Sequence, residues 1–592
     1  MTDTIPGRLF DQAERRPGNA AYHEKTAGEY RPVSWREYAD QVRRAGKSLI
    51  AFGFFPGGHV AILGFNRAEW VIMDLACMAV GGAPAGIYAT SSPEEVQYIA
   101  HHAEVTVILV EDKVQLEKVI AVRAELPSLK YVVTMRGAPE VDDSMVLTWD
   151  EFMNRGETID DSAFVARLEA LEPEGLATLI YTSGTTGPPK GVMLTHHNLT
   201  WTADASQGVI PLHVDDRSLS YLPLSHIAEQ MFTLHIPISV GSNVFFAESI
   251  EALAENIKDV RPTIFFGVPR VWEKIQAGVA AKVGEASGVK AKLAGWAQGV
   301  GRRVVAIRNS GGHPSGILGL QYKLASKLVH HKVQAGLGME ECRAAVTGAA
   351  PISTEVLEFF AGFDIPILEV YGQSEGTGPT TFNRPKNTKF GSVGPAYPGT
   401  EVRITGDGEV IFRGGNVFAG YYKDEGATAD CLIDGWLYSG DLGSFDDDQF
   451  LTITGRKKDI IITAGGKNVA PKNLEAAIKD NSLVSEAVVI GDRRKYLVAL
   501  ITLNPEISDS FVAEHGITEP LYKSEVIRQQ IQATIDEMNE RFARVEQVKA
   551  FAILPRELTI SDGELTGTLK VKRSVVNEHF AAEIDSMYVD DS

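Results

Sequence analysis

The run YTSGTTGPPKGV at 181–192 gathers three glycines, four aliphatic hydroxyls and a lysine into twelve residues. Gly184, Gly187 and Gly191 let backbone N–H groups approach a phosphate with no Cβ in the way. Thr182, Ser183, Thr185 and Thr186 add hydroxyl donors, and Lys190 adds charge. The run is not a Walker A loop, because Pro189 precedes Lys190 and Gly191 follows it. A plain surface loop is the competing reading. The strand-like run 177–181 just before it argues instead for a loop held at the end of a buried strand.

The elements around it alternate. From 32 to 133, helical patterns are interleaved with short apolar runs such as 60–63 and 105–110, which predicts parallel strands with crossover helices. Further strand–helix units are expected at 262–267 with 271–283, and at 344–346 with a helix capped by Ser353 or Thr354. A strand over 365–370 should end in the tetrad 371–374. The stretch 141–176 is rich in Asp and Glu and reads as a solvated connector. Composition changes near Gly455. Beyond it, strands near 486–490 and 496–503 and helices near 471–480 and 524–542 predict a separate α+β domain.

Composition narrows the function classes. With 592 residues the chain exceeds a single hydrophobic core. Hydrophobic content of 44% and charged content of 23% exclude disordered, fibrous and polytopic membrane classes. A formal charge of −20 disfavours nucleic acid as a partner, so an anionic ligand needs locally gathered positive charge. Cys77, Cys342 and Cys431 form neither a zinc pattern nor a disulfide framework, which fits a reducing cytoplasm. The first twenty residues lack the apolar core of a signal peptide. The run 70–89 carries Asp74 and Pro84 and reads as a buried helix leading into a strand. Between 286 and 338 there is no Asp or Glu, while Lys290, Lys292, Arg302, Arg303, Arg308, Lys323, Lys327 and Lys332 are interleaved with apolar residues. That pattern predicts either a packed helical pair with solvated lysines or peripheral contact with anionic membrane, at the inner membrane face.

The loop and six further runs occur in an order that resembles the adenylate-forming superfamily of acyl-CoA synthetases, luciferases and peptide-synthetase adenylation domains. The runs are LPLSH (222–226), GAAP (348–351), YGQSE (371–375), YSGD (438–441), GRKKD (455–459) and LTGTLK (565–570). FFGVPRVWEK (265–274) and LTGTLKVKR (565–573) are similar to long-chain fatty acyl-CoA synthetases. YLPLSHIAEQ (221–230) and IITAGGKNV (461–469) are most similar to the bubblegum-type branch. The resemblance implies an α/β fold: a large multi-sheet N-terminal domain over 1–454, a hinge over 455–459, and a small mobile α+β domain over 460–592.

It also implies a chemistry and roles. A carboxylate is a poor acyl donor, so ATP converts it to an acyl-adenylate with loss of pyrophosphate, and a thiol then displaces AMP. Positive and polar groups must stabilise carboxylate, α-phosphate and pyrophosphate together. By resemblance, Lys570 contacts the carboxylate and α-phosphate, and Glu375 binds Mg²⁺, which hard carboxylate oxygens suit. Thr182, Lys190 and His226 complete the catalytic set. The nucleotide falls to Ser183, Gly184, Thr185, Thr186, Gly187, Gly348, Ala349, Ala350, Tyr371, Gly372, Gln373 and Ser374. Asp441 and Arg456 take the ribose and phosphate. Lys458 is the hinge, about which Lys570 leaves and Gly465 and Gly466 arrive beside the pantetheine path of CoA. Phe265, Phe266 and Gly267 border the acyl pocket. The expected substrates are a fatty acid, ATP and CoA, with a homodimer as a further expectation. Two other readings stand beside this one: a fatty acyl-AMP ligase loading a carrier protein, and an inactive nucleotide and lipid sensor. Arg456, Lys457, Lys458, Lys467 and Lys472 face only Asp459 between 456 and 472, which predicts a positive working surface on an acidic protein.

Overall fold

The computed structural model describes residues 2–182, 188–284, 288–505, 507, 509–566 and 570–588. Its largest sheet has eight strands in the order Gly420–Tyr421, Lys190–Thr195, Leu176–Thr182, Ala83–Ile87, His59–Leu63, Val107–Val110, Tyr131–Thr134, Val146–Thr148. Pairing is parallel from Leu176–Thr182 to Val146–Thr148, and antiparallel at the end carrying Lys190–Thr195 and Gly420–Tyr421. Every residue of His59–Leu63 and Ala83–Ile87 is buried, as expected of parallel strands covered on both faces. The helix Ala68–Ala79 between them is buried along all its residues. Burial pushes the Asp74 carboxyl well above the usual carboxylate range there. Among the described residues, no helix is long and apolar enough to cross a membrane.

A second sheet runs Ile264–Gly267, Ala344–Thr347, Ile367–Gln373, Gly378–Phe382, with its first three strands parallel. Ser353 caps the helix Thr354–Ala361 by accepting from Val356 N. Two more sheets complete the larger part. One joins Arg217–Ser220, Asn243–Phe246, Ala20–Thr26 and Glu29–Ser34. The other has five strands and includes Glu409–Arg413, Trp436–Phe445 and Leu451–Arg456.

A separate core begins at Ile461. There the strands Val484–Ile490, Leu497–Leu503 and Val548–Ile553 are covered by helices Pro471–Lys479 and Glu525–Arg541. Ile527, Ile531, Ile535 and Met538, spaced at helical intervals, form the buried stripe of the longer helix.

Two expectations are corrected. The stretch 141–176 is folded: it forms the strand Val146–Thr148 and the helices Trp149–Arg155 and Asp161–Glu169, with Trp149, Phe152 and Phe164 fully buried. Its acids, Asp150, Glu151, Glu157, Asp160, Asp161 and Glu169, are all exposed, so composition reported the outer face of helices whose inner face is apolar. The tetrad at 371–374 does not follow its strand. Tyr371, Gly372 and Gln373 lie within Ile367–Gln373, paired to Gly378–Phe382.

Candidate active site

A cavity of about 1490 Å³ opens where the C-terminal ends of Leu176–Thr182, Ala344–Thr347 and Ile367–Gln373 meet residues from beyond 455. The carboxyl ends of parallel strands are where open α/β sheets bind ligands. Thr182 and Lys190 line it from opposite positions of one antiparallel pair. The loop residues between them, Ser183, Gly184, Thr185, Thr186 and Gly187, lie outside the described residues. Lys190 Nζ stands 4.8 Å over the Tyr421 ring and 3.9 Å from Asp424.

Gly372, Gln373, Ser374 and Glu375 form a continuous piece of wall. Gly372 is required by packing, because a Cβ there would sit 1.7 Å from the Gly378 carbonyl oxygen. Glu375 belongs to a short 3-10 turn, and its Oε1 accepts the Tyr421 hydroxyl at 2.7 Å. Burial, and then the Glu375 charge, hold the Tyr421 phenol well above its ordinary pKa, so it stays a donor. Sequence reasoning missed Tyr421. It sits on the edge strand Gly420–Tyr421, paired to Lys190–Thr195, and thus ties Glu375 to the strand leaving the glycine-rich loop. No local motif marks it.

Across the cavity, Asp441 is 5% exposed and accepts two hydrogen bonds, from Tyr371 Oη at 2.8 Å and Arg456 Nε at 3.0 Å. Burial, the largest single influence, would lower the Arg456 pKa; the Asp441 charge and hydrogen bond, together with Asp459 and Tyr371, outweigh it and raise it. Lys457 also lines the cavity, but it is paired there, with Nζ 2.7 Å from Asp407 and 2.8 Å from Glu409. Arg573 is paired with Glu475 and also donates to the Val489 carbonyl. The expected positive surface is therefore smaller than the motif charges suggest, because Asp407, Glu409 and Glu475 neutralise part of it.

Lys570 reaches the cavity from the smaller part of the chain. Its backbone is closed against Thr566: Lys570 N donates to Thr566 Oγ1 at 3.1 Å, and Thr566 N donates to the Lys570 carbonyl at 2.8 Å. Lys572 N donates to the Glu564 carbonyl. The Glu564 carboxylate is fully buried, and binds Arg556 at 2.6 and 2.7 Å, His579 Nδ1 at 3.0 Å and Thr559 N at 3.0 Å. Burial opposes that charge, but Arg556 and His579 win and lower its pKa to about 2. Glu564 thus anchors the segment carrying Lys570, a role no spacing rule indicated.

Burial, followed by repulsion from Arg456 and Lys472, lowers the Lys570 pKa to about 8. Burial, and then Lys570, lower His226 to about 4, so its imidazole is neutral. Its Nδ1 accepts from Ala228 N at 3.1 Å and caps the helix Ile227–Gln230. Lys570, Lys472 and Arg456 thus converge with a neutral histidine, opposed by Asp441 and Glu375. That charge pattern suits a polyanion carrying a hard cation.

The remaining positions divide. Ala349 and Ala350 line the cavity, Ala349 with φ +70°, a strained backbone for a residue with a side chain. Gly348 packs on Val370. Of the expected acyl wall only Phe266 faces the cavity, with Phe232 stacked on it at 4.9 Å. Phe265 is a correction: strand alternation turns it into the opposite core, stacked on Tyr221 and edge-on to Trp272. Gly267 is another, since it is filled against Trp272 rather than bordering the cavity. Gly465 and Gly466 are exposed on the ribbon formed by Ile461–Ile462 and Asn468–Val469. Lys458 is exposed in the 3-10 turn Lys457–Asp459, between Leu451–Arg456 and that ribbon.

The family described as AMP-binding enzyme matches residues 9–422, and the AMP-binding enzyme C-terminal domain matches 458–592. The chain belongs to the AMP-binding enzyme family. Among curated relatives, the long-chain-fatty-acid–CoA ligase ACSBG2 of Xenopus laevis is 37% identical, over 98% of this chain and 83% of the relative. The Homo sapiens ACSBG2 ligase is 35% identical over 99% and 92%. The long-chain-fatty-acid–CoA ligase FadD15 of Mycobacterium tuberculosis is 36% identical over 99% and 97%. The bubblegum-type resemblance drawn from 221–230 and 461–469 agrees with the ACSBG relatives. Among solved structures, the adenylation domain of a carboxylate reductase from Mycobacterium chelonae superposes with a TM-score of 0.77 at 20% identity, covering 99% of this chain and 91% of that one. The anthranilate CoA ligase AuaEII with anthranoyl-AMP gives 0.72 at 20% identity, covering 98% of both. These structures establish the adenylate-forming fold for this AMP-binding enzyme: a large N-terminal and a small C-terminal domain.

Proposed function

We propose that this AMP-binding enzyme is a long-chain fatty acid–CoA ligase. The carboxylate attacks the α-phosphorus of ATP and pyrophosphate leaves; the CoA sulfur then attacks the acyl carbonyl, and AMP leaves. The observation that carries the reading is Lys570 in the cavity with Asp441, Arg456 and Glu375, in a chain whose full-length relatives are named as such ligases.

In this reading Lys570 steadies carboxylate and α-phosphate during adenylation, and Lys472 adds positive charge beside it. Thr182, Lys190 and the loop 183–187 hold the phosphates. Tyr371, Gly372, Gln373, Ala349 and Ala350 surround the base and sugar, Ser374 donates to a phosphate oxygen, Asp441 holds the ribose, and Arg456 contacts ribose and phosphate. Glu375 fits a Mg²⁺ ligand: it faces the cavity, is oriented by Tyr421, and Mg²⁺ draws most of its remaining ligands from water and phosphate. When bound, the ion neutralises phosphate charge. Phe266, Phe232 and His226 line the path of the acyl chain. The large domain is assigned to 1–454 and the mobile one to 460–592, turning about Lys458 within 455–459. Gly465 and Gly466, on the outside while Lys570 is inside, reach the thiol path after that turn.

A thioester assay with fatty acid, ATP and CoA tests the proposal. Acyl-CoA and AMP are the expected products. Acyl-adenylate released without thioester favours a fatty acyl-AMP ligase, and no turnover favours a sensor. Competition among acids from C8 to C24 then ranks chain length. Three free cysteines suit a cytoplasmic enzyme. Sedimentation decides whether it is a homodimer.

A further inference from the structure

The crossover from Ile264–Gly267 to Ala344–Thr347 carries the helices Val289–Asn309 and Gly316–Ala325. The second helix has two apolar faces. One is spent internally: Ala325 is buried, Leu318 and Tyr322 pack on Ala297, Val300 and Val304, and the Tyr322 hydroxyl donates to Asp364 at 2.6 Å. The other carries Ile317, Leu320 and Leu324, which are 77, 69 and 52% exposed. Spaced i, i+3 and i+7, they form one continuous stripe facing solvent.

Cations flank this stripe on both sides. Lys323 and Lys327 are exposed along one edge, and Arg303, bonded to Gln321 at 3.3 Å, lies along the other. Lys290, Lys292, Arg302 and Lys332 are also exposed, and among the described residues Arg308 alone of these cations is in an ion pair, with Asp364 at 2.8 Å. No Asp or Glu occurs between 286 and 338, in a chain whose formal charge is −20. A second copy seated symmetrically on this face would press cations against cations. An apolar stripe edged by lysine and arginine complements anionic headgroups over acyl chains.

We propose that this face is a docking surface for an anionic lipid bilayer: Ile317, Leu320 and Leu324 enter the headgroup boundary while Arg303, Lys323 and Lys327 engage lipid phosphates. The surface belongs to the connection between two strands that contribute Phe266 and Thr347 to the cavity wall. Delivery of a membrane-borne fatty acid to that cavity rests on the ligase reading; binding to the bilayer does not.

Flotation of the full-length protein with vesicles tests it, using phosphatidylcholine alone and phosphatidylcholine with about one third phosphatidylserine. Binding is expected to the anionic vesicles only, and to weaken with salt. Each cation contributes roughly fivefold, so the combined variant Arg303→Glu, Lys323→Glu, Lys327→Glu, which removes three cations and adds three repelled anions, should lower partitioning by at least about a hundredfold. Ile317→Ser, Leu320→Ser, Leu324→Ser should also abolish flotation, while thermal unfolding and turnover of detergent-dispersed acid stay unchanged. A Leu320→Trp reporter should shift its emission to the blue on anionic vesicles. Absence of wild-type flotation, equal binding to neutral vesicles, undiminished binding of both triple variants, or an unshifted reporter would overturn the proposal. So would a dimer that the serine variant dissociates in a protein that ignores vesicles.

Discussion

Arg456 and Asp441 stand directly opposite each other in the pair of strands Trp436–Phe445 and Leu451–Arg456, joined Nε to Oδ1 at 3.0 Å. With the Tyr371 hydroxyl on the other carboxylate oxygen, the pair presents a fixed charged edge to the cavity. Asp441 is almost fully buried, so removing its cation leaves a carboxylate with one neutral donor. Arg456→Ala should therefore cut kcat/KM for ATP by roughly 10- to 100-fold, the worth of a lost bond to a charged group. Steady-state kinetics at fixed fatty acid, with circular dichroism to verify the fold, is the check.

Lys570→Ala should separate the half-reactions. Fatty-acid-dependent ATP–pyrophosphate exchange should fall on the order of a hundredfold or more, because a positive group aimed at developing charge is lost. Thioester formation from supplied acyl-adenylate should be largely spared. Equal loss of both, in a folded protein, would refute alternation about Lys458.

Lys570 also predicts a pH response. Its docked pKa, lowered to about 8, lies below the ordinary lysine value, so the docked arrangement resists the proton. In free enzyme, the charged form needed for adenylation should therefore be lost as pH rises through about 8. The kcat/KM for pyrophosphate exchange should decline there, and in Lys570→Arg that decline should vanish or move well upward.

The interface between the two parts titrates in the opposite sense. Burial, and then the Glu355 charge, raise Asp480 to about 6, with Glu273 adding repulsion and Ser353 and Arg541 opposing. A raised carboxyl pKa means the docked arrangement binds the proton more tightly. Its stability should fall as pH rises from about 4 through 6 and stay reduced above. Asp480→Asn should remove that dependence and raise pyrophosphate exchange relative to thioester formation at neutral pH.

Glu564 sets the fifth expectation. A depressed pKa contributes stability above the unfolded value near 4.5 that is lost as pH falls toward 2. Glu564→Gln keeps the shape but loses the charge on Arg556 and His579. It should cost about 1–3 kcal/mol in urea unfolding at pH 7, and much less at pH 3.

The local signals were legible because they are written in consecutive residues. The glycines and hydroxyls of 181–192 suit a short segment beside a phosphate, and the YGQSE and YSGD runs and the lysine of LTGTLK were legible as resemblances to a known family. Period and composition likewise disclosed the parallel strands and the separate C-terminal core. The same reading failed where the deciding partner was distant in the chain. Tyr421 reaches Glu375 through strand pairing across 46 residues. Lys457 is neutralised by Asp407 and Glu409, about 50 residues back. Acidic residues in 141–176 reported only the outer face of their helices.

By itself, then, the sequence determined the family, the order of motifs and the chemistry they can bear, since these depend on residue type and short spacing. Only the tertiary structure decided which groups meet. It turned Phe266 into the cavity and Phe265 away, because neighbours on a strand face opposite sides. It also carried Lys570 to Asp441 and Arg456, because the packing of the two parts, a sum of many long-range contacts, selects one orientation that no local pattern encodes.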